Sequence, residues 1–580
     1  MSNILPSLSK SNDFFANPGR YAKMVEQKLH RLEAEDILGR IQEKDFTVWR
    51  KEDTEISNRL GWLQSPVVMQ SALKEIVSFS DQIKSSGFKK VVLLGMGGSS
   101  LAPEVFRDVF GVSEGYPDLT VVDTTDPGFI RNLTNQLDLS RTLFLVSTKS
   151  GGTVETISLM KYFYNLVFKQ LGSENVGPHF VAITDPGSGL EKMAKDLAFR
   201  KIFLNDPDIG GRYSALSYFG LVPAALIGID VSKLLDEAVW MAERCQSTGT
   251  HRDEANTTRL GVLMGLLALN GRDKLTFFFS SKLLNTGAWL EQLIAESLGK
   301  EGKGVLPVVS DPTNTISAYR DDRMFVYIRL KKDHSHDAAI ESLMQAGHPV
   351  ICIHLENLYS LAGEFYRWEL ATAIAGVVMG INPFDQPNVE SAKVSSREMV
   401  AAFIRNGQLP ELPVTIEENQ LIVASPVSGT SLAEHFEKMF AQLKPDFPEP
   451  GHKAYVAVHA YLEPSTEHTE LLNRLQDRIA NRYGVPVTIG YGPRFLHSTG
   501  QLHKGDSGKG LFIQIVDRCL TDCMIPDTAE GEESSISFGV LKMAQALGDR
   551  EALGNAGRQV ITVDLGTKVQ KGLNYLIDTI

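Results

Sequence analysis

Four short segments of this sequence combine residue types that bind anions or move protons. In VVLLGMGGSSLAPEVF, Gly95, Gly97, Gly98, Ser99 and Ser100 lie between an apolar run and a helix-like pattern. Glycines there let backbone amides approach a phosphate or a polar sugar, and a helix start adds a favourable dipole. A structural turn has the same composition. The dinucleotide spacing G-x-G-x-x-G fails at Ser100, which disfavours a dehydrogenase. In FLVSTKSGGTVETISL, the hydroxyls of Ser147, Thr148, Ser150 and Thr153 flank two glycines, a combination that suits a phosphate monoester. The plainer alternative is a capped helix, with Thr153 and Glu155 serving only its N-terminus. In NDPDIGGRYSALSYFG, Arg212 follows two glycines among the apolar residues Tyr213, Leu216 and Phe219. A guanidinium fixed there can stabilise an oxyanion, although a lone arginine is commonly a solvated one. In NTGAWLEQLIAESLGK, Trp289, Leu290, Leu293 and Ile294 form the packing side of a helix, while Gln292 and Glu296, four apart, share another face. Periodicity alone does not separate a base from a solvated glutamate.

The elements that must carry these segments follow from the hydrophobic pattern. KKVVLLGMG, LTVVDTT, TLFLVSTKS and HFVAITD are short β-branched runs, each followed by small polar residues and a helical pattern. Such alternation predicts a parallel sheet with helices on both faces, over residues 66–250. Ligands of an open sheet of this kind sit beyond the carboxyl ends of its strands, so the glycine loop and the hydroxyl loop can share one pocket. The pattern restarts at DKLTFFFSS and continues through MFVYIRL and HPVICIHL, a second α/β unit over residues 251–420. AYVAVHAYL, VPVTIGY, GLFIQIV and RQVITVDL make a third set over residues 421–580, with TELLNRLQDRIANRYG as a helix between the first two. A Pro- and Glu-rich stretch around 409–420 marks the boundary before it. Residues 1–65 read as an N-terminal helical cap, with Leu29, Leu32, Ile37 and Ile41 recurring near the helical period.

Composition narrows the function further. At 580 residues the chain is too long for one hydrophobic core. No apolar run reaches bilayer length, and MSNILPSLSKSNDFF lacks a basic, then apolar, secretory signal; a cytoplasmic protein without a membrane partner is expected. The net charge of −12 and the scattered basic residues disfavour nucleic acid. Of four cysteines only Cys519 and Cys523 are close, without the second pair that a zinc site needs, so no metal site is expected. Any anion must be caught by a local site.

Taken together, the segments resemble the glucose-6-phosphate isomerase family. GMGGSSLAP is similar to its sugar-binding glycine loop and STKSGGTVET to its phosphate loop, and GGRYS, EQLIAESLGK and INPFDQPNVESAK follow in the family's order. The resemblance implies two doubly wound parallel-sheet domains of the sugar-isomerase (SIS) type. It also implies reversible isomerisation of glucose 6-phosphate and fructose 6-phosphate through a cis-enediolate, without metal or redox cofactor. Carried over by position, Thr148, Lys149, Ser150 and Thr153 would hold the phosphate and Gly98 and Ser99 would line the sugar. Glu296 would be the base with Gln292 nearby, Arg212 would stabilise the enediolate, and Lys393 would assist at the ring or phosphate. Because the family's site lies at a subunit interface, a homodimer is expected.

One family feature is missing. Between the glutamate and lysine motifs the family carries a GQH-type segment whose histidine opens the sugar ring, and DPTNTISAYRDDRMFVYIRLKKDHSHDAA has none; His334 and His336 sit in a charged loop. The glycine-rich stretch YGPRFLHSTGQLHKGDSGKG offers His497 and His503 instead, with His503 the expected ring-opening residue and His497 the alternative. This stretch, with NPFDQPNVESAK, resembles the isomerase half of bifunctional transaldolase/glucose-6-phosphate isomerases, so a relation to a transaldolase partner is implied, although no transaldolase barrel is present. An isomerase of another sugar phosphate, or a sugar-phosphate-binding regulator without catalysis, uses the same loops.

Overall fold

The structure is a computed structural model that describes residues 13–246, 252–309, 316, 319–444, 447 and 453–580. The expected helical cap therefore lies partly outside the described residues, at 1–12, as does the boundary between the first two expected units at 250 and 251. Within the cap, helices Ala22–Ala34 and Ile37–Gln42 form and bury Leu32, Ile37 and Ile41. Phe14–Asn17, however, is a strand, β1, paired antiparallel with Val350–Leu355 of the second sheet. Two adjacent phenylalanines favour a pleated, half-buried edge, and the partner strand would otherwise expose an unpaired ladder.

The first sheet is built from β2 (Lys90–Gly95), β3 (Asp118–Val122), β4 (Thr142–Ser147), β5 (Phe180–Thr184) and β6 (Lys201–Leu204), all parallel, in the order β3-β2-β4-β5-β6. Its central strands are buried on both faces, which is why they read as continuous apolar runs. Val91, Leu93, Leu143 and Leu145 enter one apolar cluster; the intervening Val92, Leu94, Phe144 and Val146 enter another. This period of two proves helices on both faces.

The second sheet carries β7 (Lys274–Phe279), β8 (Leu306–Val308), β9 (Arg323–Leu330) and β10 (Val350–Leu355), parallel and ordered β10-β9-β7-β8, with β1 on the outer edge of β10. Both sheets contribute to one apolar cluster, from Val91 and Leu143 to Phe277 and Ile353. The third sheet has a largely separate core. Its strands are β11 (Ile416–Glu418), β12 (Leu421–Ala424), β13 (Tyr455–Tyr461), β14 (Val487–Tyr491), β15 (Gly510–Val516) and β18 (Gln559–Asp564), ordered β11-β12-β18-β15-β13-β14. The last four in that order are parallel, whereas β11 and β12 run antiparallel. A two-stranded ribbon, β16 (Met524–Ile525) with β17 (Ile536–Ser537), stands outside it. Among the described residues no helix is long and apolar enough to cross a membrane.

All three sheets share one winding. The first strand of each unit has its successor on one side and its third strand on the other: β3-β2-β4, β8-β7-β9 and β14-β13-β15. Successive crossovers therefore leave in opposite directions between the first and third strands, which opens a crevice at their carboxyl ends.

Candidate active site

In the first sheet that crevice is framed by the glycine loop after β2 and the hydroxyl loop after β4. Gly97 adopts φ +55°, and a Cβ there would stand 2.7 Å from Gln292 Nε2 and 3.0 Å from the His497 carbonyl oxygen. A Cβ on Gly98 would lie 1.9 Å from the carbonyl oxygen of Gly211. Glycine is thus required because three loops, those of residues 97–99, 210–213 and 497, meet backbone to backbone. Gly98→Ala must push Gly211 and its neighbour Arg212 outward. It is expected to cost about 1–3 kcal/mol of stability in urea unfolding and to lower activity as well.

After β4, Thr148 is buried, its amide donates to the Ile183 carbonyl at 3.1 Å, and its hydroxyl lies 2.9 Å from that of Thr153. Ser150 is exposed, and its Oγ accepts from the Gly152 amide at 3.3 Å. Thr153 opens the helix Val154–Leu171 without capping it through its side chain. The first-turn amides are left pointing at the loop, and hydroxyls, amides and dipole together form an anion seat. Lys149 is engaged elsewhere: its ammonium pairs with the Asp185 carboxylate and donates to the Pro207 carbonyl at 2.6 Å. Its ammonium is therefore not turned toward the loop's hydroxyls as expected.

The helix Thr286–Leu298 brings Gln292 and Glu296 to the same place. Glu296 Oε1 lies 3.1 Å from Arg212 Nη1, and Glu296 Oε2 accepts from Gln292 Nε2 at 3.1 Å. Gln292 Nε2 also donates to the His497 carbonyl at 2.7 Å, while its Oε1 is buried without a partner. A buried acceptor needs a donor, which a sugar hydroxyl can supply. Arg212, only 3% exposed, donates through Nε to Ser297 Oγ at 2.7 Å and through Nη1 to Gln386 Oε1 at 2.9 Å. Its Nη2 donates to the carbonyls of Pro383 and Asp385 at 2.7 and 3.0 Å. The segment NPFDQP thus serves as a cradle for a guanidinium that cannot turn away. Lys393, on the helix Pro387–Asn406, is half exposed at the rim and 3.9 Å from Glu390.

The third unit closes the site. His497 ends the short turn Arg494–His497, and its Nε2 lies 3.0 Å from Oε1 of the buried Glu155. The same oxygen accepts from Gln545 Nε2 at 2.7 Å, and Gln545 Oε1 accepts from Thr125 Oγ1 at 2.9 Å. Burial works to raise the Glu155 carboxyl, but the His497 imidazole and the Lys393 ammonium outweigh it and hold the group below the usual range. The base of the turn is pinned by Arg494, which pairs with Glu104 and, at 3.2 Å, with Asp123.

His503 is not brought to this place. It is 1% exposed on the helix Gly500–Gly505, between the rings of Tyr455 and Phe512, with Nδ1 3.1 Å from His459 Nε2. His459 in turn meets Asp549 at 3.2 Å, and Asp549 pairs with Lys504 at 2.7 Å. Burial, with His459 and Lys504 close by, pushes the His503 imidazole well down, so it stays neutral inside the third unit. The expected ring-opening residue thus lies in the core of the third unit, while His497, the alternative from the same glycine-rich stretch, stands beside Glu155. Only the packing of His503 into β13 and β15 separates them. Glu155 was read as a helix N-terminal residue, and nothing in its local sequence announces a partner 342 residues away.

The one group of side chains spaced for a metal among the described residues is Asp126, Asp517 and Cys519. The ammonium of Lys542 already stands among them, 2.7 Å from Asp126 Oδ2, 2.5 Å from Asp517 Oδ1 and 3.0 Å from Cys519 Sγ.

The family model described as phosphoglucose isomerase matches residues 66–317, which includes both loops, Arg212, Gln292 and Glu296 but neither Lys393 nor His497. A glucose-6-phosphate isomerase of Rubrobacter xylanophilus is 28% identical over 379 residues, 57% of this chain and 87% of that protein. One from Carboxydothermus hydrogenoformans is 27% identical over 391 residues, 58% of this chain and 83% of the other. Among solved structures, a hypothetical protein from Thermus thermophilus superposes with a TM-score of 0.56 at 25% identity, over 67% of this chain and 100% of its own. A glucose-6-phosphate isomerase from Chlamydia trachomatis shares the fold with a TM-score of 0.57 at 17% identity, over 70% of this chain and 91% of its own. Over residues 66–317, the span that holds both loops and the Glu296–Arg212 pair, the chain matches the phosphoglucose isomerase family, in agreement with its glucose-6-phosphate isomerase relatives.

Proposed function

We propose that this protein interconverts glucose 6-phosphate and fructose 6-phosphate, and that a single chain holds every residue the reaction needs. The observation that carries this reading is the buried Glu296–Arg212 pair, joined through Gln292 to the loop that bears His497. The phosphate sits on the hydroxyls and amides of residues 148–156, with the sugar running past Gly98 and Ser99 toward Gln292. His497, oriented by Glu155 through Nε2, presents Nδ1 to the ring: as imidazolium it donates its proton to the ring oxygen as the anomeric C–O ring bond breaks, then takes up the proton of the anomeric hydroxyl on the same nitrogen as the carbonyl forms, and the chain form results. Glu296 then removes the proton on C2 of the aldose and returns it to C1, while the O2 hydroxyl proton passes to O1, so that C1 ends as the alcohol and C2 as the ketone. The enediolate formed between the two steps is stabilised by the guanidinium of Arg212, which its four other acceptors hold in place. Lys393 supplies positive charge at the rim.

Coupled assays with fructose 6-phosphate, mannose 6-phosphate and glucosamine 6-phosphate test the substrate. Turnover of the first is expected to lead, and preference for either of the others would overturn the assignment. His497 and Glu296 belong to one chain, which supports a site complete without the second subunit of a homodimer. Specific activity is accordingly expected to stay constant on dilution through any dimer dissociation followed by sedimentation. A loss that tracks dissociation would show that a partner subunit is required.

A further inference from the structure

The third α/β unit repeats the winding that makes the catalytic crevice, and its own crevice has no role in the reaction above. β13 corresponds to β2 and β15 to β4, since β14 and β3 lie on one side and β18 and β5 on the other. The helix Thr466–Tyr483, which follows β13, packs Leu471, Leu472 and Leu475 with Val456 and Val458. The helix Phe538–Asn555, after β15, packs on the opposite face, where Asp549 meets His459 and the Ala546 carbonyl accepts from Gln514. The chain therefore leaves β13 and β15 toward opposite faces, and a cavity of about 460 Å³ opens there.

Its charge selects the ligand. The carboxylates at its floor, Asp126 and Asp517, are both bonded to Lys542. Glu463 accepts from Asn132 Nδ2 at 2.7 Å. The walls carry four cations, of which Arg518 is paired with Asp564 at 2.8 Å, so that Arg131, Lys568 and Lys571 face Glu463 and the one floor carboxylate charge that Lys542 does not offset, a small local excess of positive charge in a chain of net charge −12. Lys568 and Lys571 are exposed, and His468 adds a hydrogen-bonding imidazole to the wall. Cations concentrated in a cleft focus potential on an anion. We propose that this crevice between β13 and β15 binds a small phosphomonoester, at a site separate from the catalytic one. Lys542, beneath it, lies three residues from Gln545, whose amide bonds Glu155 and so the His497 loop. An occupant above Lys542 thus stands one helical turn from Gln545, the amide bonded to the Glu155 that meets His497.

The inference does not rest on the isomerase activity, and calorimetric titration with glycerol 3-phosphate tests it directly. Thr148→Val/Thr153→Val removes the hydroxyls of the catalytic phosphate seat, and this variant is expected to keep one saturable equivalent of bound probe. Adding Lys568→Ser/Lys571→Ser, both on the surface, is expected to weaken that equivalent at least tenfold. Lys568→Ser/Lys571→Ser alone should leave isomerisation within about twofold of the parent in the absence of probe. Should the threonine variant fail to fold, the stoichiometry of the parent decides: two equivalents support the second site and one overturns it. Binding lost with the threonines, or unchanged by the lysine substitutions, overturns it as well.

Discussion

Glu296→Gln is expected to lower isomerisation by about 10²- to 10⁴-fold, the usual contribution of a general base, with little change in affinity for the substrate. The amide keeps the length and shape of the side chain but cannot take a proton from C2. The surroundings argue that the loss is chemical and not structural. Arg212 keeps acceptors in Ser297, Gln386, Pro383 and Asp385 when the carboxylate is gone. Gln292 likewise keeps the His497 carbonyl. Exchange of the transferred hydrogen with deuterated water, followed by proton NMR, reports the step itself. An exchange rate within threefold of the parent would remove Glu296 from the role of base.

His497→Ala is expected to slow turnover of cyclic substrate by about 10²-fold, with a much smaller effect on a substrate that has no ring to open. 5-Deoxyfructose 6-phosphate is such a substrate, because it lacks the hydroxyl that closes the ring. The geometry distinguishes His497 from its neighbour: its imidazole meets Glu155 beside the phosphate loop, whereas His503 is sealed against Tyr455 and Phe512. His503→Ala should therefore act on both substrates equally, by loosening the buried chain of Asp549, His459 and His503. A selective defect on the cyclic sugar in His503→Ala, with His497→Ala unaffected, would reverse the assignment. Glu155→Gln is expected to share the direction of His497→Ala, since an amide in that position no longer stabilises the imidazolium that ring opening requires.

How much of this was legible in the residues differs from element to element. VVLLG, TLFLVS and FVAIT announced a parallel sheet, because strands covered on both faces must be apolar throughout. Strand β1 was not legible: FFAN is four residues long, and its pairing with β10 bridges more than three hundred residues of chain that no local window contains. The same division runs through the site. Gly98 and the hydroxyls of the 148–153 loop declare themselves, since close backbone approach and phosphate binding each demand particular residue types at one place in the chain.

What the sequence by itself determined is local chemistry: the two loops of glycines and hydroxyls at strand ends, a glutamate and a glutamine four apart on one helix, and an arginine after two glycines. Each depends on residues close together in the chain, where periodicity and spacing hold the information. What only the tertiary structure decided is which distant groups meet. It drew Lys149 to Asp185, buried His503 against His459, and carried His497 across from the third unit to Glu155. Those choices follow from how whole sheets and helices pack: His497 and His503 are six positions apart, yet one imidazole meets Glu155 and the other is buried in a core, because the short helix Gly500–Gly505 carries His503 inward.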